Sequence, residues 1–475
     1  LKDTYTCVSY DKGGIWYKFD GNRWTLDKGG RIRSELSNRI CMMYSDKTDA
    51  AVEIIRNNPE DEDTAVRAKF FNKLVVMCKT RRTKDNIIAE AKEIFYDDKF
   101  MQKMDSDPML MCFENGVVDF GDKTFRAGMH TDYITKCTNT QYTDVNAFTS
   151  DQLAKKAILE NFMNQLFPDE ETCEYMWDYL ASTAIGKNSN QIVAMFFGDG
   201  SNGKSRLMEL MTQAYGNYKA TCPLELVTGK RVGIGNTSSE IIQLKAVRFA
   251  VMQEPSKDTV INDGPFKELS GGDPLTGRSL YCESETFTPQ FSLAVCMNSM
   301  FNMKKATDGG STRRVKKIDF LSRFILPGDT ATYDIDEKYK FPADMNIDKV
   351  LKECASVFGS MLVARAFKTN GVVEDCPAVR KSTDKYKQSQ DSVGSFVELR
   401  ITKTTSSEDK INKKALVSQF KNWYEKELGD GDRPKNPELF EVMDKKFGEN
   451  KAGWTHAKFI VEDDDEDAAD VDAGY

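Results

Sequence analysis

The sequence lacks several features that would point to common classes of enzyme or membrane protein. It has only two histidines, His130 and His456, and neither lies near a nucleophile motif. This argues against a histidine-based metal centre and against a Ser-His-Asp hydrolase. The eleven cysteines include no C-x-x-C pair, which argues against a zinc site or a disulfide framework and predicts a reducing, intracellular compartment. No run of 18 apolar residues and no signal peptide is present, so no membrane association is predicted.

The charge of the chain is concentrated at one end. The formal net charge is −8, from 74 acidic and 66 basic residues, and eight of the acids lie between Glu462 and Asp472. Without those eight, acidic and basic residues are equal in number, so the remainder of the chain has room for basic patches. A run of acids this dense is typical of a disordered tail, which we place at residues 461–475.

The most informative motif is a phosphate-binding loop. Residues 198–205 read GDGSNGKS and follow an apolar run at 192–197, which fits G-x-x-x-x-G-K-[ST] between a strand and a helix. Backbone N–H groups of such a loop cradle phosphates at the start of the helix. We expect Lys204 to reach the outer phosphates of ATP and the Ser205 hydroxyl to hold Mg²⁺. The predicted nucleotide-contacting residues are Gly198, Asp199, Gly200, Ser201, Asn202, Gly203, Lys204 and Ser205.

Two further apolar runs end in polar residues where an ATP hydrolase needs them. Residues 246–252 read AVRFAVM and lead to Glu254, whose carboxylate could orient water and support Mg²⁺. Residues 291–297 lead to Asn298, whose amide could hydrogen-bond the attacking water or the terminal phosphate. Alternation of such strands with helices over 187–330 predicts a parallel α/β sheet.

A pair of arginines follows, Arg313 and Arg314. Charge that develops on a transferring phosphoryl group needs a cation, and arginine supplies one with bidentate geometry. If neither arginine reaches the nucleotide of its own chain, the site of a neighbouring subunit is the natural target. The sequence does not decide between the two.

The order of these motifs resembles that of the superfamily 3 helicases of the AAA+ class, in the poxvirus-type primase–helicase branch. The segments that carry the resemblance are GDGSNGKS, RFAVMQEP, FKELSGGDPLTGRSLY, LAVCMN and GGSTRRVKKIDF. The upstream segments WYKFDGNRW and NGVVDFGDKTFRAGMHTDYIT resemble the domain that precedes the helicase core in that branch. The segments KYKQSQDSVGSFVE and LVSQFKNWYEKE resemble its winged-helix-like C-terminal domain.

The resemblance implies an α/β AAA+ core in a homohexameric ring that hydrolyses ATP and translocates on DNA at a viral replication site in a host cell. It implies a DNA-contacting hairpin between Phe266 and Pro289, with Lys267 and Arg278 as basic candidates for phosphate contact. Relatives often carry a primase domain upstream and act with other replication proteins. Because this chain begins at Leu1 rather than Met, we expect it to be part of a longer protein. The paired acids and histidine of a primase are not recognisable in the sequence, so we expect no primer synthesis from this chain alone.

From these motifs and the resemblance we predict six parts in the chain. They are an α+β domain (1–145), a helical collar (146–186), the ATPase core (187–345), a helical segment (346–385), a winged-helix-like domain (386–460) and the acidic tail (461–475).

The sequence also allows other functions. A phosphate-binding loop also suits a kinase that acts on a small substrate, and the same core suits an initiator- or packaging-type ATPase that grips DNA without unwinding it. An RNA track is a variant of the helicase hypothesis, because grooves that follow a backbone tolerate either sugar.

Overall fold

The structure is a computed structural model, which describes residues 2–9, 14–228, 238–253, 260–278, 284–298, 302–303, 313–329, 335–428, 433–448 and 453–460. Over these residues the chain is mixed α/β, and its largest sheet has five strands. The predicted α/β class is therefore confirmed. No helix of the described residues is long and apolar enough to cross a membrane.

The N-terminal part contains two small antiparallel sheets separated by helices. Its strands are β1 (Tyr5–Ser9), β2 (Ile15–Phe19), β3 (Trp24–Leu26), β4 (Leu110–Phe113), β5 (Gly116–Asp119) and β6 (Thr124–Arg126). Its helices are α1 (Arg31–Glu35), continued by a π-helical turn (Leu36–Ile40) into α2 (Cys41–Asn57), then α3 (Glu62–Lys79), α4 (Arg81–Phe95) and α5 (Phe100–Lys103). Strands β2 and β3 form an aromatic hairpin, in which Trp16 and Trp24 are buried. These rings therefore pack in the core rather than forming a surface on which bases could stack.

Two helices, α6 (Ser150–Leu166) and α7 (Glu170–Ser182), lead into the central sheet. Helix α6 begins at a capping box in which Thr149 and Gln152 bond each other's backbone N–H groups, a local signal for a helix start. The apolar faces of both helices pack in one core with the central sheet. This core places the end of α6 beside the phosphate-binding loop.

The central region has further strands and short helices. Its strands are β7 (Val193–Phe197), β8 (Lys219–Thr221), β9 (Phe249–Gln253), β10 (Val260–Ile261), β11 (Leu275–Arg278), β12 (Ser284–Phe287), β13 (Ser292–Met297), β14 (Asn302–Met303), β15 (Val315–Asp319), β16 (Arg323–Ile325) and β17 (Lys340–Pro342). Its helices are α8 (Lys204–Tyr215), α9 (Glu225–Thr228), α10 (Ser239–Ile242) and α11 (Asp263–Gly271). Short 3₁₀ turns lie at His130–Asp132, Val145–Ala147, Gly216–Tyr218 and Glu337–Tyr339.

The five-stranded sheet has the order β15-β7-β13-β9-β8, and every neighbouring pair is parallel. Val295 of β13 pairs with Met195 of β7 on one side and Met252 of β9 on the other. Side chains of successive residues enter cores on opposite faces of the sheet, which explains why these strands are apolar throughout. The register brings the carboxyl ends of β7, β13 and β9 together at one edge.

The C-terminal part begins with a long helix that packs against the core. Its helices are α12 (Ile347–Thr369), α13 (Pro377–Gln390), α14 (Ser392–Arg400), α15 (Lys413–Leu428) and α16 (Asn436–Phe447). Its strands are β18 (Ile401–Lys403), β19 (Lys410–Ile411), β20 (Trp454–Thr455) and β21 (Ala457–Phe459). Helices α14 to α16 and these strands share a separate apolar core around Trp454 and Phe420. Helix α13 runs through the predicted boundary at residue 385, and Thr383 Oγ1 accepts a hydrogen bond of 2.9 Å from the backbone N–H of Lys317 in β15.

Candidate active site

The phosphate-binding loop joins the end of β7 to the start of α8. Its backbone is left-handed at Gly200 (φ 91°), Ser201 (φ 48°) and Gly203 (φ 81°). These conformations turn the chain back on itself so that the N–H groups at the start of α8 face a common space. A side chain at Gly203 would overlap Leu166 of α6, so glycine is required there for space as well as for its φ angle.

Two polar side chains lie inside this loop. Lys204 is 7% exposed and Asn202 is 4% exposed. The Lys204 ammonium donates hydrogen bonds to the Gly198 carbonyl oxygen and, over 3.2 Å, to Asn202 Oδ1. Asn202 Nδ2 is buried without a hydrogen-bond partner, which is costly unless a ligand supplies an acceptor. The donors gathered here suit an anion such as a phosphate group.

A cavity of about 850 Å³ opens over this loop, a size that suits a nucleotide. Asn298 lies on its rim directly after β13 and is exposed, and Ser205 is exposed at the first turn of α8. Gln253 lines the cavity at the end of β9. Glu254, which we predict as the catalytic acid, lies outside the described residues. The sheet thus brings two predicted positions, the loop and Asn298, together with Gln253, the residue that precedes Glu254.

The two arginines lie at the amino end of β15, which is an outer strand of the sheet. They precede β15, which runs parallel to β7 with Val315 beside Val193 and Asp319 beside Phe197. The distance from Arg313 to the level of the loop is roughly 23 Å along the strand, at about 3.3 Å per residue. An arginine side chain does not span that distance. Neither arginine therefore reaches the cavity over the loop of its own chain, which we call the nucleotide cavity because its size suits a nucleotide.

The two arginines differ in how firmly they are held. Arg314 Nη1 donates hydrogen bonds to the Lys267 carbonyl oxygen (2.9 Å) and to Ser270 Oγ (3.1 Å) of α11. Arg313 is exposed, and its Nη2 donates a single long bond of 3.3 Å to Gln191 Oε1. Arg314 is therefore held against α11 of its own chain. Arg313 is exposed, so its guanidinium can contact another molecule.

The predicted DNA-contacting hairpin is present in outline. Strands β11 and β12 pair antiparallel from Leu275 beside Phe287 to Arg278 beside Ser284, and the turn between them lies outside the described residues. Arg278 is the last paired residue before that turn. Lys267 lies apart from the hairpin, on α11, where it is partly buried. The structure therefore does not bring the two basic candidates together on one strand pair.

Sequence motifs missed several residues of the cavity wall. Phe162 and Gln165 contribute from α6, and Asp344 and Met345 from the segment before α12. Lys219, the first residue of β8, also lines the cavity, and burial lowers the pKa of its ammonium. The register of β8 places Lys219 beside Phe249, on the sheet face that carries Cys296. A lysine 14 residues after the loop has no motif of its own, so only the fold could reveal it.

Comparison with known proteins agrees with the sequence reading. Residues 1–177 match the protein family described as "D5 N terminal like". A protein of Acanthamoeba polyphaga mimivirus named "putative helicase" is 29% identical over 434 residues, which cover 89% of this chain and 44% of that protein. A "putative helicase" of Invertebrate iridescent virus 3 is 27% identical, covering 86% of this chain and 47% of its own length. A "putative primase" of African swine fever virus (isolate Warthog/Namibia/Wart80/1980) is 25% identical, covering 88% and 45%.

This chain therefore spans less than half the length of these curated relatives. Among solved structures, the A-form apo structure of the NrS-1 C-terminal region aligns with 55% of this chain and 57% of its own, at 12% identity and a TM-score of 0.38. That score is too low to carry an argument.

Proposed function

We propose that this chain, which is similar to proteins of large DNA viruses named putative helicase or putative primase, is an ATP-dependent replicative DNA helicase. It works as a ring-shaped oligomer, in which each nucleotide is bound by one subunit and its hydrolysis is completed by the next. The names of the relatives support the helicase activity. The placement of Arg313 supports the ring, because this arginine is far from the cavity of its own chain and exposed.

The chemistry assigned to the site follows from the donors that surround the cavity. Backbone N–H groups of the loop and of α8 would hold the phosphates, and Lys204 would exchange the Gly198 carbonyl for a phosphate oxygen. Ser205 would hold Mg²⁺, which neutralises charge on the outer phosphates when it is bound. Asn298 would position water, and Glu254 would orient it. Arg313 of one subunit would stabilise the charge that develops in the site of its neighbour, an effect worth about 10³- to 10⁵-fold in rate where it has been separated.

Complementation between two inactive variants tests the shared site. Lys204→Ala lacks a working loop but keeps its arginine, whereas Arg313→Ala keeps the loop and lacks the arginine. In a head-to-tail ring, about a quarter of the interfaces of an equal, random mixture pair an intact loop with an intact arginine. We expect each variant alone to be inactive and the mixture to recover about that fraction of the wild-type ATPase rate. No recovery by a mixture that co-assembles would refute the shared site.

The same proteins separate the alternatives on a forked DNA substrate. A helicase predicts that single-stranded DNA stimulates ATP hydrolysis and that strand separation is lost in both variants. ATP hydrolysis that is stimulated by DNA but separates no strands would favour an initiator- or packaging-type ATPase. Phosphate transfer to a small acceptor without any effect of DNA would favour a kinase. Arg82→Ala is the matched control, because Arg82 is an exposed arginine on α4, far along the chain from the site.

A further inference from the structure

A second cavity, of about 660 Å³, lies beside β8, the outermost strand of the central sheet. Nine residues line it, from the loop that follows β6, the 3₁₀ turn after α8, β8 itself and the segment before β9. They are Thr135, Lys136, Gly216, Asn217, Lys219, Ala220, Thr221, Gln243 and Val247. The cavity is open to solvent and mostly polar, and none of these nine residues is aromatic or acidic.

Two lysines give this cavity its charge. Lys136 and Lys219 are both partly buried, and burial lowers the pKa of each ammonium. Among the residues that the structure describes, neither ammonium forms an ion pair or a hydrogen bond. A partly desolvated cation is costly, and two lysines that line one cavity lower the cost of binding an anion there. The site is therefore built to receive negative charge.

One acidic group near Lys136 offsets part of its charge. Asp105 lies within electrostatic range of Lys136, and its carboxylate also accepts hydrogen bonds from the backbone N–H (2.6 Å) and hydroxyl of Thr135. Lys245 adds positive charge near Lys136, although it is itself paired with Glu285. Arg23 donates a hydrogen bond of 3.2 Å from Nη1 to Asn217 Oδ1 and is paired with Asp20 over 3.6 Å.

The lining indicates which anion fits. A pocket for a free nucleotide offers apolar or aromatic surface to the base, and these nine residues offer very little. An open, polar, cationic groove instead suits a backbone that passes through it, contacted at its phosphates without regard to sequence. Lys219 also lines the nucleotide cavity, so the two cavities share this residue.

We propose that this cavity binds backbone phosphates of a single DNA strand through Lys136 and Lys219. The proposal rests on the proposed helicase function for the identity of its ligand. It adds a DNA contact at the β8 edge, on residues outside the β11–β12 hairpin, and it links that contact to the nucleotide cavity through Lys219.

The test is the salt dependence of DNA binding by the full chain without nucleotide. A fluorescently labelled 30-nucleotide oligo(dT) is titrated by anisotropy at several salt concentrations, with wild type, Lys136→Met, Lys219→Met and the matched control Lys73→Met, an exposed lysine of α3. We expect each of the first two variants to bind about three- to tenfold more weakly and to reduce the slope of log K against log salt by about 0.7. Lys136→Arg, which keeps the charge, should restore the slope.

A second titration uses a fluorescent non-hydrolysable ATP analogue. Lys219→Met should weaken its binding, whereas Lys136→Met should leave it unchanged because Lys136 lines only the second cavity. Removal of an unpaired buried charge should also leave the thermal unfolding temperature unchanged or raise it, so loss of folding is not expected to obscure the result.

Three outcomes would overturn the proposal. Salt slopes that stay at the wild-type value in both folded variants would show that no backbone phosphate contacts these lysines. Inorganic phosphate that binds wild type but neither variant, with oligonucleotide slopes unchanged, would assign the cavity to a free phosphate group. Failure of wild type to bind the oligonucleotide at all would contradict the helicase function itself. If wild type binds the oligonucleotide and both lysine variants bind it equally well, only the proposal for this cavity is refuted.

Discussion

Arg248 gives the sharpest prediction about what holds the two halves of the protein together. The residue immediately precedes β9 and is 1% exposed. Its Nη2 donates to the Leu110 carbonyl oxygen of β4 over 2.8 Å, and its Nη1 donates to Gln290 Oε1. The guanidinium also lies over the Tyr218 ring, 5.5 Å from its centre. Burial lowers the pKa of Arg248, yet an arginine keeps its proton in proteins.

Replacement of Arg248 by Met should therefore be strongly destabilising. Methionine fills much of the volume but leaves the Leu110 carbonyl and the Gln290 amide oxygen buried without a donor. Each charged hydrogen bond lost costs about 1.5–3 kcal/mol. The two together sum to about 3–6 kcal/mol, and we take the loss of about 3–5 kcal/mol that is seen when one partner of a buried charged contact is removed. In a unit of 150–250 residues this corresponds to a fall in Tm of about 6–20 °C.

The assay combines thermal unfolding with hydrogen exchange. We expect the first unfolding transition of Arg248→Met to move down and the amides of β4 and β9 to lose protection together, because the guanidinium joins these strands. Arg39→Met is the matched control, since Arg39 is 65% exposed and, among the described residues, pairs with Glu35 alone. Ion pairs with so exposed a partner contribute about 1 kcal/mol or less. Unchanged protection of β4 in Arg248→Met would refute the reasoning.

Two further predictions concern the loop and its surroundings. In an ATP-analogue titration, Gly203→Ala should abolish binding, because its Cβ would overlap Leu166. Gly200→Ala should only weaken binding, since Gly200 has a similar positive φ but open space around a Cβ among the described residues. Adding Leu166→Ala should partly rescue Gly203→Ala. The pKa of Asp169 is lowered, chiefly by the hydrogen bond from the Tyr339 hydroxyl (2.7 Å). Its contribution to stability is therefore complete above about pH 4 and is lost as the pH falls further, so the unfolding temperature of Asp169→Asn should vary less than that of wild type between pH 5 and pH 3; an equal dependence would contradict this.

Local patterns predicted the parts of the site that are contiguous in sequence. The run before residue 198, the loop glycines and the apolar spacing after Lys204 specify a strand, a turn and a helix, and these elements are present as β7 and α8. The apolar run that ends at Asn298 is likewise present as β13, and its register places Asn298 beside the loop. Patterns of this kind work because each element's signal is carried by its own residues.

The remaining features depend on contacts between distant segments. Nothing near Lys219 in the sequence marks it as a residue of two cavities, because that role comes from the pairing of β8 with β9. The choice between Arg313 and Arg314 likewise needs α11, whose Ser270 and Lys267 carbonyl hold one of the two. The direction of a side chain at the start of a strand depends on which element packs there. The sequence alone therefore cannot tell which of two adjacent arginines is held within the chain.

The region that matches the D5 N-terminal-like family forms part of the wall of the cavity over the phosphate-binding loop. That match extends to residue 177 and so includes α6, from which Phe162 and Gln165 line the nucleotide cavity and Leu166 contacts the loop at Gly203. The same region supplies Leu110, which accepts the Arg248 hydrogen bond. A chain cut at residue 187 would expose the apolar core shared by α6, α7 and the sheet and would remove one wall of the cavity. Nucleotide binding and the fold of the N-terminal region are therefore expected to be inseparable, because the same packed side chains serve both.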